Sequence, residues 1–266
     1  MKASSSQIKP VNFILAFCFA LSLFISGAQA SNGNKWREKR SEHFIIYFKD
    51  VPVDFIEEIV KTAEDCYVQI TQNLGFVRYN FWLWDNRAKF YIYNDKEHYL
   101  SDTRQPEWSA GAAQSYEKII KTYPQMSGFF DSIMPHELGH IIFREFIGYK
   151  AVIPLWLEEG VASYQEKSKR LVADTIVKSA IKENRFIPLD KLSAMDIRSK
   201  TDKKIVELFY AESVSIVNFL IKKFGKSTFG WFCRDLKDDK PFEKALSRFG
   251  FWDIPKINKA WMKSLE

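Results

Sequence analysis

Four histidines stand in the sequence: His43, His98, His136 and His140. The last two fall in Pro135-His136-Glu137-Leu138-Gly139-His140, a His-Glu-x-x-His pattern. On a helix, positions i and i+4 share one face, so both imidazoles can reach one metal ion. Glu137 sits about 100° round the helix from His136. It is close enough to act on a metal-bound water without ligating the metal. The chemistry open to such a set is hydrolysis: the ion acidifies a water and the carboxylate moves the proton. A zinc site needs a third protein ligand and a position open to water. The next dense acidic segment is Pro154-Leu155-Trp156-Leu157-Glu158-Glu159-Gly160-Val161-Ala162. Glu158 and Glu159 point about 100° apart on a helix, so only one of them is expected to face the histidine pair. His43 and His98, in a strand-rich region far upstream, are the weaker candidates for the third ligand.

The elements that must position these groups follow from hydrophobic periodicity. Ser132 suits a cap, Pro135 suits a first helical turn and Gly148 suits a helix end, which predicts a helix over Ile133–Ile147. Further helices are expected at Pro154–Lys169, Val172–Glu183, Val206–Phe224, Phe229–Asp235, Phe242–Phe249 and Pro255–Leu265. Small Gly160 and Ala162 should let the second of these approach the first closely. Upstream, His43–Phe48 reads as a strand, Asp50–Gly75 as a helix, and Phe81–Trp84 with Lys89–Tyr93 as two strands around a turn. Residues Ala110–Tyr123 hold room for one more strand. The bulky run Phe81-Trp82-Leu83-Trp84 reads as a buried strand or as an exposed contact patch. Strands come first and helices second, which predicts an α+β fold with a mixed sheet in the N-terminal half and a helical C-terminal half.

The first 30 residues read as an address. They contain no acidic residue, begin with Lys2 and Lys9, continue through an apolar run from Val11 to Ile25 and end on Ala28-Gln29-Ala30. That is the pattern of a cleavable secretory signal, and the run is short for a membrane span. Cleavage would leave residues 31–266 as one catalytic domain with no stable membrane span, exported to a periplasm or beyond. Of 266 residues, 46% are hydrophobic and 27% charged, the balance of a folded globular chain. The net charge of +6 falls by two when Lys2 and Lys9 leave, and it is spread along the chain. No nucleic-acid partner is expected from so mild an excess. Cys66 and Cys233 remain after cleavage and read as one disulfide or as two separate buried thiols.

The motifs resemble a known group. His136-Glu137-x-x-His140, eighteen intervening residues and then Glu159 is similar to the gluzincin metallopeptidases. Trp156-Leu157-Glu158-Glu159-Gly160-Val161-Ala162 resembles the Trp-Leu-x-Glu-Gly-x-Ala segment of the aminopeptidase N and leukotriene A4 hydrolase family. The chain resembles still more closely the small stand-alone peptidase-MA-like proteins of bacterial envelopes, and this resemblance carries the expectations that follow. It implies a thermolysin-like zincin domain that binds one Zn2+ through His136, His140 and Glu159, rather than Glu158. It also implies that Tyr210, which opens Tyr210-Ala211-Glu212-Ser213, stabilises the transition state. The residues agree with that role, since no histidine follows His140 and another donor must hold the oxyanion.

The departures from the family are specific. Trp108-Ser109-Ala110-Gly111-Ala112-Ala113 stands where the large aminopeptidases carry a Gly-x-Met-Glu-Asn motif, and it has no such glutamate. Aminopeptidase specificity is therefore unsupported, while Ala110 and Gly111 keep an edge-strand role in binding substrate backbone. Ser163, one turn after Glu159, is the candidate partner for a zinc-bound histidine. The expected function is zinc-dependent hydrolysis of peptide or protein substrates, as an endopeptidase outside the cytoplasm, with Glu137 as the proton carrier. The rival reading is a zinc-bearing envelope assembly or interaction protein without peptidase activity. An intact Glu137 argues against it.

Overall fold

The computed structural model describes residues 35–76, 82, 86–105, 112–124, 127–197, 202–250 and 253–266. Among these residues, five strands form one mixed sheet: β1 (Arg37–Arg40), β2 (Phe44–Phe48), β3 (Ala88–Ile92), β4 (Ala112–Gln114) and β5 (Ile119–Thr122). Their order across the sheet is β1-β2-β3-β5-β4. β2, β3 and β5 run parallel, and β1 and β4 are antiparallel edges. Parallel neighbours need crossovers. Helix α1 (Val53–Asn73) lies between β2 and β3, and α2 (Lys96–Thr103) between β3 and β5. Phe44, Ile46, Phe48, Phe90 and Ile92 alternate onto one sheet face and are buried there. α1 turns Ile56, Ile59, Ala63, Tyr67 and Ile70 into the same core, at the three-and-four spacing its sequence carries.

The second half is helical. It comprises α3 (Met134–Ile147), α4 (Leu155–Tyr164), α5 (Lys167–Lys182), α6 (Leu189–Ala194), α7 (Lys203–Phe224), α8 (Lys226–Lys237), α9 (Phe242–Ala245) and α10 (Ile254–Ser264). The chain is thus α+β, with the sheet N-terminal. Helix α3 packs on α1, α4 and α8, while α7 lies against α4 and α5. The α7 helix is buried along most of its length, from Leu208 to Ile221 apart from Tyr210.

Several elements depart from the expectations. β1 is charged throughout, and its pattern gives no strand signal; it forms because β2 offers it an open edge, where charged side chains are tolerated. Residues 112–122 hold two strands rather than one, joined by a turn in which Lys118 takes a positive φ of 55°. The polar α2 forms behind the Asp95 cap, whose side chain accepts from His98 N. Of the run Phe81–Trp84 only Trp82 is described: it is fully buried, edge-on to Phe44. Cys66 and Cys233 are free thiols, so the disulfide alternative fails. No helix among the described residues is long and apolar enough to cross a membrane.

One buried acid in α7 ties stability to pH. Glu212 is fully buried; its Oε1 accepts from Ile187 N, and its Oε2 has no partner. Burial pushes this carboxyl up to about 8. The folded state therefore favours the neutral acid, and its stabilising effect is lost as pH rises from the unfolded value towards 8. Denaturant titrations should show stability falling by on the order of 1–3 kcal/mol over that window, and Glu212→Gln should flatten the fall. An identical pH profile in the variant would contradict this assignment.

Candidate metal centre

A π-helical turn, Phe129–Ile133, leads straight into α3. The hydroxyl of Ser132 does not cap the helix as its sequence position suggests. It donates instead to Glu166 Oε2. Pro135 does sit in the first turn, and Gly148 closes α3 with φ 87°. Helical geometry then brings His136 Nε2 and His140 Nε2 to 3.1 Å. Glu159 Oε2, on α4, lies 3.8 Å from the first and 3.7 Å from the second. A tetrahedral ion with N and O ligands at about 2.0–2.2 Å holds those ligand atoms about 3.3–3.6 Å apart. The edges of 3.1, 3.7 and 3.8 Å stand just outside that span, so small side-chain adjustments suffice for the triangle to take a metal. Among the described residues, no other group of three or more His, Cys, Asp or Glu could hold an ion.

Glu159 is chosen over Glu158 by a neighbour. Arg144, one turn beyond His140 on α3, grips both oxygens of Glu158 and also donates to Ala151 O at 3.0 Å. Glu158 is thereby held away from the histidines. Two close helix contacts fix the roll of α4. A Cβ on Gly139 would lie 2.9 Å from Ala162 Cα, and a Cβ on Gly160 would lie 2.4 Å from Ser213 O. Ala162 thus seats α4 on α3, as the small residues suggest. Gly160 instead faces α7. Gly160→Ala should destabilise the fold by about 1–3 kcal/mol, since a backbone carbonyl cannot rotate away as a side chain can. An unchanged denaturation midpoint would show slack between α4 and α7.

The partner of His136 is Glu166, not Ser163. Glu166 Oε1 lies 2.8 Å from His136 Nδ1, whereas Ser163 Oγ stands at 3.4 Å. This contact places the proton on Nδ1 and leaves the Nε2 lone pair facing the cluster. Glu166 is 1% exposed. Burial raises its carboxyl, but hydrogen bonds from His136, Lys169 and Ser132 outweigh that and hold it below the usual range. The chain bends out of helix at Gln165 and Glu166, so the expected helix Pro154–Lys169 is two helices. The sequence signal for Glu166 is its place seven residues, about two turns, after Glu159.

The remaining groups complete the electrostatics. Burial, followed by the neighbouring His136 and Arg144, lowers His140 to about 3, so this imidazole is neutral and able to ligate. Burial raises Glu137 above the ordinary carboxylate range; His136 opposes the rise and Glu166 adds to it. Burial also raises Glu159, with His136 opposing. The hydroxyl of Tyr210, half-buried on α7, is pushed up by burial and by the Glu159 charge it faces. His136, Glu137 and Tyr210 open together on a cavity of about 340 Å3, bordered by Ser132, Glu166 and Lys169. His43 takes no part: its Nδ1 bonds Glu64 Oε2 at 2.6 Å and its ring stacks on Tyr67. His98 lies beside Lys49 and Tyr93. Ala110 and Gly111 fall outside the described residues.

Three potential ligand atoms converging beside a half-buried carboxylate, in a cleft open to solvent, are the arrangement of a metal-dependent hydrolase. Residues 62–266 match the family described as the Peptidase MA superfamily, and the chain belongs to that superfamily. No curated protein matches the chain.

Proposed function

We propose that this chain is an exported zinc metallopeptidase with a thermolysin-like, gluzincin-type centre. The observation that carries the reading is the triangle of His136 Nε2, His140 Nε2 and Glu159 Oε2, with its 3.1, 3.7 and 3.8 Å edges. His136, His140 and Glu159 would hold a zinc ion, which would supply Lewis-acid chemistry there, lowering the pKa of a water towards roughly 7. Glu137 accepts the proton of the attacking water and delivers it to the leaving amine. Its raised carboxyl suits both halves of that transfer. Tyr210 keeps its hydroxyl proton and donates it as a hydrogen bond to the oxygen on which charge develops. Glu166 holds His136 in the ligating tautomer, and Arg144 holds Glu158 out of the site.

The half-open cleft and the missing aminopeptidase glutamate favour endopeptidase cleavage of peptide or protein substrates. Residues 1–30, with their basic start and small-residue end, support export and cleavage after Ala30. The purified protein should carry one zinc per chain by elemental analysis and cleave a diverse peptide library. A chelator should abolish cleavage and added zinc should restore it. Zinc at unit stoichiometry without any cleavage would favour an envelope binding protein instead. Absence of metal after zinc loading would overturn the centre itself.

A further inference from the structure

Away from the metal centre, the C-terminal ends of α7 and α10 enclose with α5 a cavity of about 590 Å3. It shares no lining residue with the metal-site cavity. Its lining carries both signs of charge. Lys222 and Lys223 come from the last turn of α7, and Lys263 from the last turn of α10. All three are exposed, and no described carboxylate pairs with them. Asn218 and Lys222 stand four apart on α7, so one face of the helix presents both to the cavity. The buried side is polar as well. Asp174 on α5 accepts from Ser215 Oγ at 2.7 Å and from Asn218 Nδ2 at 3.2 Å. The second bond fixes the Asn218 amide, because the opposite orientation would set two acceptor oxygens against each other. Asn218 is 1% exposed, and its Oδ1 has no partner among the described residues. A buried carbonyl oxygen without a donor costs free energy. Here it belongs to a residue lining a cavity of the size that small ligands fill.

We propose that this cavity binds a phosphate ester of a primary amino alcohol, the phosphoethanolamine group, as a free ester or as a lipid headgroup. The three lysines meet the phosphate oxygens through charge-assisted hydrogen bonds. The ammonium turns inward to the Asp174 carboxylate and to Asn218 Oδ1. An ammonium has three N–H donors and can feed both acceptors, whereas a hydroxyl has one proton and would leave one of them unmet. A bare anion would meet the lysines but bring a second negative charge towards Asp174. A bare amine would satisfy the buried side and leave the lysines without a counterion. Only a ligand with both signs answers both sides of the cavity. The proposal does not depend on the peptidase reading.

The test titrates O-phosphoethanolamine into the full exported chain by calorimetry, beside phosphocholine, inorganic phosphate and ethanolamine. Phosphocholine keeps the phosphate and the positive charge, but its quaternary nitrogen has no N–H to give. Phosphoethanolamine should bind about tenfold or more tighter than each of the other three. Lys222→Ala combined with Lys263→Ala, both at exposed positions, should weaken it by about tenfold or more while the thermal melt stays unchanged. Equal affinities for phosphoethanolamine and phosphocholine, or wild-type affinity in the double variant, overturn the proposal. A second arm separates the two sources. Vesicles of phosphatidylethanolamine in phosphatidylcholine are compared with vesicles of phosphatidylcholine alone by co-sedimentation. Retention on the first that is lost in the double variant makes the lipid headgroup the ligand. Binding of the soluble ester without such retention makes the free ester the ligand. No binding of the soluble ester at about 10 mM, together with vesicle retention that is absent or unchanged in the double variant, overturns the site.

Discussion

Glu137→Gln keeps the fold and one bound zinc but loses about 10²–10⁴-fold in kcat/KM on any peptide the wild type cleaves. Glutamine matches the shape of glutamate, and no described side chain depends on Glu137 for a hydrogen bond that holds the fold. What disappears is the capacity to take a proton from water and return it to the leaving nitrogen. The ligand triangle of His136, His140 and Glu159 does not include this residue, so zinc stoichiometry should stay near one. Thermal melts, elemental analysis and steady-state rates on the same preparation check the three parts of the expectation. Hydrolysis at a near-wild-type rate would remove Glu137 from the mechanism, whatever the metal content.

Glu166→Ala is expected to weaken zinc binding by about 10–100-fold, although Glu166 is not itself a ligand. Its carboxylate accepts from His136 Nδ1, Lys169 Nζ and Ser132 Oγ. Without it, His136 loses the partner that fixes its tautomer, and an ammonium and a hydroxyl at the π-helical turn lose theirs. Competition against a chelator of known affinity reads the metal term directly. Ser163→Ala serves as the comparison, because Ser163 Oγ lies at 3.4 Å and contributes little. Equal zinc affinities for Glu166→Ala and wild type would show that ring packing alone orients His136.

The sequence made the heart of the site legible because that part is local. Two histidines four apart, a glutamate next to the first, Pro135 in the first turn and Gly148 at the end are all properties of one helix. The 3.6-residue period brings the imidazoles together, whatever packs around them. The parallel core strands and α1 were readable for the same reason, since alternation and helical spacing are written within each segment. β1 was not readable: a charged tetrapeptide becomes a strand only when a neighbour's open edge supplies its hydrogen bonds.

What lies between segments was settled by the tertiary structure. Adjacent Glu158 and Glu159 are equivalent by composition, and the family likeness, not the spacing, singled out the second. The physical choice between them is the roll of α4 about its own axis. Gly160 against Ser213 and Ala162 against Gly139 set that roll, and Arg144 holds Glu158 aside. Glu166 became the partner of His136 through a bend after Tyr164 that no periodicity announces. Tyr210 reached the cleft because α7 packs on both α4 and α5. A helix can prescribe which of its residues share a face, but only its neighbours decide where that face looks.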